Sequence, residues 1–186
     1  MRRRRTLGGF AAAIVVATLF ALTPRTGFAQ PTRATQQQVE AVFLFRFSEF
    51  VEWPTSTDRS APFVIGVLGE DPFGFFLDET VRGEQVSGRP IQIRRFARLD
   101  EVGPCDILFV SESERSRMSA IRAALQTRHI LTVADFDGFA NDGGVIQFAI
   151  DAGKTRLKIN VAAAQSAGLT ISSKLLRSAE IVGAGK

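Results

Sequence analysis

DILFVSESERSRMSAIRAALQTRHILTV, residues 106–133, decides the fold. Ile107 to Val110 is wholly apolar, with no alternation toward water, as a strand covered on both faces must be. Met118, Ile121 and Leu125 then recur three and four apart, which puts them on one face of a helix spanning Ser111 to Arg128. Ile130 to Val133 is again a short apolar run, a second buried strand. Strand, helix and strand in one stretch imply a parallel sheet with a helix on its face.

The alternation continues outward in both directions. Phe63 to Leu68 reads as a continuously apolar strand, and a short helix after Pro72 carries Phe75, Phe76 and Val81 before Gly83. Ile91 to Phe96 alternates and reads as a half-buried strand. Beyond the turn-rich DFDGFANDGG (135–144), Val145 to Ile150 and Thr155 to Ile159 flank Asp151-Ala-Gly-Lys154, the spacing of a β-hairpin. Asn160 caps a helix from Val161 to Ala167, Gly168 stops it, and an amphipathic turn from Ser173 to Ala179 closes the domain. The predicted fold is α/β: a single three-layer domain with a mainly parallel sheet flanked by helices and a C-terminal β-hairpin.

Residues 1–29 stand apart from this pattern. Arg2 to Arg5 precede an apolar run from Leu7 to Leu22, and Gly27 and Ala29 supply small residues before a polar QPTRATQQQ. This layout predicts a cleaved secretory signal peptide, cut after Ala29, in preference to a membrane anchor. Residues 30–186 then form one domain. Of 23 basic residues five lie in the leader and none of the 19 acidic ones does, so the exported part carries 18 against 19. Such a balance gives no reason to expect nucleic acid as a partner. Cys105 is the only cysteine, which excludes an intrachain disulfide and leaves a half-buried free thiol as the preferred reading over an intermolecular bridge.

Chemistry finds few candidates. His129 is the only histidine and precedes a buried strand, a structural or surface position more than a catalytic one, and one His with one Cys excludes the usual zinc sets. Ser172-Ser173-Lys174 has Ile171 where the S-x-x-K of serine acyl enzymes needs serine. No nucleotide-binding glycine loop is present. Asp135, Asp137, Asn141 and Asp142 resemble part of a calcium loop, but the twelfth position from Asp135 is Ile146, so a solvated turn is preferred. The loop Gly69 to Gly74 follows a strand end, where open α/β sheets bind ligands, and Asp71 and Phe73 join Asp135 and Asp137 as a possible pocket. No catalytic residue, metal or cofactor is expected.

The stretch FLFRFSEFVEWP, residues 43–54, belongs to a helix read over 35–52 and stopped by Pro54. Phe43, Phe45, Phe47, Phe50 and Trp53 make it apolar over more than one face. Either it is a central core helix, or one face meets a second chain.

AVFLFRFSEFVEWP (41–54), IGVLGEDPFG (65–74), GRPI (88–91), CDILFVS (105–111), LTV (131–133) with DGFA (137–140), GG (143–144), and Ile159-Asn160 leading to LTISSKLLR (169–177) form an ordered set. In number, order and spacing they resemble the YfiR family of periplasmic regulators over essentially the whole domain. The resemblance implies a non-enzymatic, exported homodimer. It would bind the periplasmic sensor region of an inner-membrane diguanylate cyclase or similar sensor protein and repress cyclic di-GMP signalling and biofilm formation. An outer-membrane lipoprotein would release it. The family's paired cysteines have no counterpart beside Cys105, so redox control by an intrachain disulfide does not carry over. A small-molecule-binding protein, or an accessory subunit of another membrane sensor such as a histidine kinase, is the alternative.

The short C-terminal segment is the expected partner contact. Ile171, Leu175 and Leu176 form an apolar ridge with Lys174 and Arg177 at its rim; docking of the same ridge on its own domain is the competing reading. With the family resemblance, the aromatic helix is expected to be mainly core with a share in the dimer contact.

Overall fold

The computed structural model describes residues 35–54 and 61–183; the leader expected over 1–29 lies outside them. Among the described residues no helix is long and apolar enough to cross a membrane. The chain opens with α1 (Gln36–Arg46), whose Thr35 and Gln38 cap each other's backbone N–H groups. The predicted helix over 35–52 ends earlier than its apolar spacing suggests. Phe47–Glu49 tightens into a 3-10 turn, the Ser48 hydroxyl donates to Phe45 O at 2.6 Å, and Val51–Glu52 is a strand, β1. Two forces straighten the chain there: Pro54 disfavours helix in the residue before it, and Val51 pairs with Ile171 far along the sequence.

A parallel core follows. β2 (Phe63–Leu68) leads through α2 (Phe75–Val81) and the edge strand β3 (Gln85–Val86) to β4 (Arg89–Phe96). The chain then crosses to the other side of β2 as β5 (Ile107–Val110). The helix predicted from Ser111 to Arg128 divides into a 3-10 segment, Glu112–Arg117, and α3 (Met118–Leu125). Serine hydroxyls explain the division: Ser111 Oγ accepts from Ser113 N and competes with regular α-helical bonding. β6 (Leu131–Ala134) pairs parallel to β5.

The predicted hairpin is present as β7 (Ile146–Asp151) and β8 (Lys154–Asn160), joined through Ala152 and Gly153, both at positive φ. α4 (Val161–Ser166) starts at Asn160, whose Oδ1 accepts from Ala163 N at 2.9 Å. β9 (Thr170–Ile171), α5 (Ser173–Leu176) and β10 (Glu180–Val182) finish the chain. The turn predicted to run to Ala179 is thus shorter, because β10 pairs parallel to β8 and pulls the chain extended. The hairpin lies inside the sheet, not at its edge.

The sheet has eight strands in the order β10-β8-β7-β6-β5-β2-β4-β3, with antiparallel pairs only at β7/β8 and β3/β4. Each central strand feeds two cores, since successive side chains point to opposite faces. Ile107 and Phe109 face a core shared with Leu44 and Phe47 of the first segment, Leu77 of α2, Ala164 of α4 and Leu175 of α5. Leu108 and Val110 face a second core with Met118, Ile121 and Leu125 of α3. β1 and β9 form a separate two-stranded sheet, reinforced by Ser172 N–H donating to Phe50 O at 2.8 Å.

Candidate protein-interaction surface

Among the described residues the most exposed aromatic side chain belongs to α2. α2 has seven residues and buries Leu77 and Val81, and its first residue, Phe75, is left 78% exposed. On α1 the inward residues are Glu40, Ala41 and Leu44, while Val42 stands 43% exposed. Between the helices Val39, Val42, Phe43 and Phe76 line a groove of about 280 Å³, with Gln38 its single polar wall. Singly exposed apolar residues are ordinary, but a groove of this composition on helices that also carry exposed Val42 and Phe75 is the kind of surface that binds protein.

A charged clamp fixes this surface. Arg95 of β4 donates to Asp71 Oδ2 and to Asp78 Oδ2, both at 2.6 Å, and to Gly74 O at 2.7 Å. Asp71 Oδ1 receives Phe73 N at 2.8 Å. The loop therefore enters α2 in one conformation, which includes Gly74 at φ 53°, a value that disfavours a side chain. The Arg95 guanidinium holds the Asp78 carboxyl below its usual range, and Asp78 in turn keeps Arg95 charged.

On the inward side of α1 lies Glu40, fully buried. Its Oε1 accepts from Gln36 Nε2 at 2.8 Å, whereas Oε2 has no hydrogen-bond partner. Burial pushes the carboxyl up to about 7 against the smaller opposing effect of Gln36, and the charge of Asp135 raises it further. Its protonated form, neutral and able to donate, suits this position.

The residues singled out in sequence are spread over the molecule. Phe47 is buried, Phe43, Phe45, Phe50 and Trp53 are half-buried, and Phe43 and Phe47 pack on Phe148 of β7 with ring centroids 6.0 and 5.8 Å apart. Leu175 faces the core, Ile171 and Leu176 are half-buried, and Lys174 and Arg177 are exposed. Lys174 Nζ sits 5.4 Å from the Phe50 ring centroid. Asp71, Phe73, Asp135 and Asp137 do not converge. Phe73 packs on Phe109 inside the core, and Asp71 serves the Arg95 clamp. Asp135 follows β6, two strand spacings or roughly 10 Å from β2. Asp137 is exposed and accepts from Gln147. His129 is exposed and its Nδ1 lies 2.8 Å from Ala167 O. Among the described residues no three of His, Cys, Asp and Glu gather to hold a metal ion.

The crevice where the chain reverses direction, at the carboxyl ends of β2 and β5, is filled by protein. Ser113 Oγ accepts from Glu70 N at 3.1 Å, and buried Glu114 packs over Gly69, where even a Cβ would lie 2.4 Å from Ser113 Oγ. Open α/β sheets bind small ligands there, so the stopper favours a surface over a crevice as the working part. At the opposite end, pieces of sequence distant in the chain meet. Trp53 Nε1 donates to Asp106 O at 3.1 Å, and the Asp106 carboxylate holds Arg89.

Comparison with known proteins gives one family and a structural likeness. A family model described as YfiR/HmsC-like matches residues 37–180. A conserved domain protein from Vibrio cholerae O1 biovar El Tor is similar in structure at TM-score 0.52 and 14% identity, over 79% of this chain and 60% of that one. An ABC domain from Streptococcus pneumonia in complex with L-Trp follows at TM-score 0.49 and 16% identity, over 64% and 55%. The chain spans less than two thirds of either structure. Comparison with curated proteins gives no match.

Proposed function

The chain belongs to the YfiR/HmsC-like family, and from that membership we propose that it is a non-enzymatic periplasmic regulator, which binds the sensor region of an inner-membrane diguanylate cyclase and holds it inactive. The family suggests a regulator of diguanylate cyclase; repression of one membrane partner, with lower cyclic di-GMP and less biofilm, is our finer reading. The observation that carries it is the apolar groove of α1 and α2, on helices that also carry exposed Val42 and Phe75, held in shape by Arg95. Repression requires only that this surface prefer the inactive sensor, and about 5.5 kcal/mol of preference turns a 1:99 equilibrium into 99:1. A few aromatic and aliphatic anchors in a desolvated centre supply energy on that scale.

The C-terminal segment offers a second contact through Ile171, Leu176, Lys174 and Arg177, available to a second copy in a homodimer or to an outer-membrane lipoprotein. Leu175 would support that contact from beneath. The test is cellular cyclic di-GMP after deletion of the gene and its restoration with and without residues 1–29. A rise on deletion, reversed only by the form that carries the leader, supports the proposal; an unchanged level overturns it.

A further inference from the structure

A second concave site lies apart from the α1–α2 groove. At the amino ends of β6 and β7, a cleft of about 390 Å³ opens between α3 and α4. Ligand pockets begin near this size, roughly 300 Å³. Its walls are mixed, with an apolar side from Met118, Ile121 and Leu125 of α3, Ile130, Val145 and Ala163, and a polar side that includes Gln126, Asn160 and Ser166. No carboxylate lines it, and Arg122 is its single charged side chain. Among the twelve described arginines eight make a salt bridge and Arg122 makes none.

The backbone is shaped around that arginine. Gly143, at φ 98°, lies along the Arg122 stem so closely that a Cβ would come within 2.8 Å of Arg122 Cδ. At Gly144 a Cβ would lie 2.1 Å from the Phe139 ring. Two glycines thus hold the rim low and leave the guanidinium free at the mouth. Inside, Thr132 Oγ1 accepts from Val145 N, so its hydroxyl hydrogen is available to a guest.

We infer that this cleft binds a small organic monocarboxylate, with its apolar body between α3 and α4 and its carboxylate on Arg122. One guanidinium matches one carboxylate in charge and in its two-pronged geometry, whereas a phosphate monoester would bring a second charge with no cation to meet it. The site is independent of the α1–α2 groove.

Calorimetric titration of the purified protein with 4-phenylbutyrate and with its neutral amide tests the assignment. We expect saturable binding of the acid, about tenfold or more tighter than the amide, because charge-assisted hydrogen bonds are worth that much. Arg122→Ala, at an exposed position, removes the preference without changing the melting temperature. Ser166→Trp at the cleft wall blocks both probes. Absence of saturable binding, equal binding of acid and amide, or an Arg122→Ala protein that still prefers the acid overturns the inference.

Discussion

Arg89 grips Asp106 with both terminal guanidinium nitrogens, at 3.0 and 3.1 Å, and the same carboxylate receives the Val64 backbone N–H at 2.8 Å. Asp106 also takes Trp53 Nε1 and Leu131 N on its backbone oxygen, so one residue ties β2, β4, β6 and the segment after β1. Removing one partner of a partly buried pair leaves the other uncompensated. Asp106→Ala is expected to lower unfolding free energy by ~3 kcal/mol. Asp106→Asn, which keeps an acceptor for Val64, should cost about half as much. Urea denaturation measures both.

The α1–α2 groove predicts a separation of binding from stability. Val42→Asp and Phe75→Asp place a charge on exposed positions, so the melting temperature should stay within a few degrees of the parent. Binding to the membrane sensor should weaken by about tenfold or more for each, as expected for anchors at the centre of an interface. Pull-down from membranes with folded variants decides; undiminished capture would move the contact elsewhere.

Glu40 predicts a pH dependence with a definite sign. Its carboxyl is raised from 4.5 to about 7 in the folded protein, so the native state holds a proton that the unfolded chain releases. That contribution is complete below pH 4.5, declines as pH rises, and is gone above about 7. It amounts to at most ~3 kcal/mol. Glu40→Gln should show a flatter profile, with a gain relative to the parent at pH 8. Unfolding curves between pH 5 and 8 give the comparison.

Cys105 is half-buried, and burial pushes its thiol up to about 12, reinforced by the Asp106 charge and opposed by Arg128 and Arg94. Thiolate reagents should label it slowly at pH 8 and rapidly in urea. Under the proposed function, Cys105→Ser should leave cyclic di-GMP at the level the parent gives. Loss of repression would assign the thiol a regulatory part.

The legible parts of the fold are those governed by neighbours in sequence. Phe63–Leu68 and Ile107–Val110 are buried on both faces, so an unbroken apolar run identified them to the residue. Asn160 announced α4 because a cap acts within three positions. What escaped depends on distant partners. Val51 leaves the helix for Ile171, and the three residues of β10 are strand only because β8 lies beside them. The interaction surface was hidden for the same reason. Phe75 and Phe76 are adjacent apolar residues of one short helix, and only the packing of α2 on α1 decides that one stays in water.

The β1–β9 pairing and the Ser172–Phe50 hydrogen bond fasten the first aromatic segment to the last part of the domain. A chain emerges from its ribosome, or through a secretion pore, amino end first. The aromatic rings around Phe47 therefore arrive long before Phe148, Leu169 and Leu175, which complete their cover. During that interval the rings lack their cover, and an incomplete chain of this kind is prone to aggregate until the final residues are delivered.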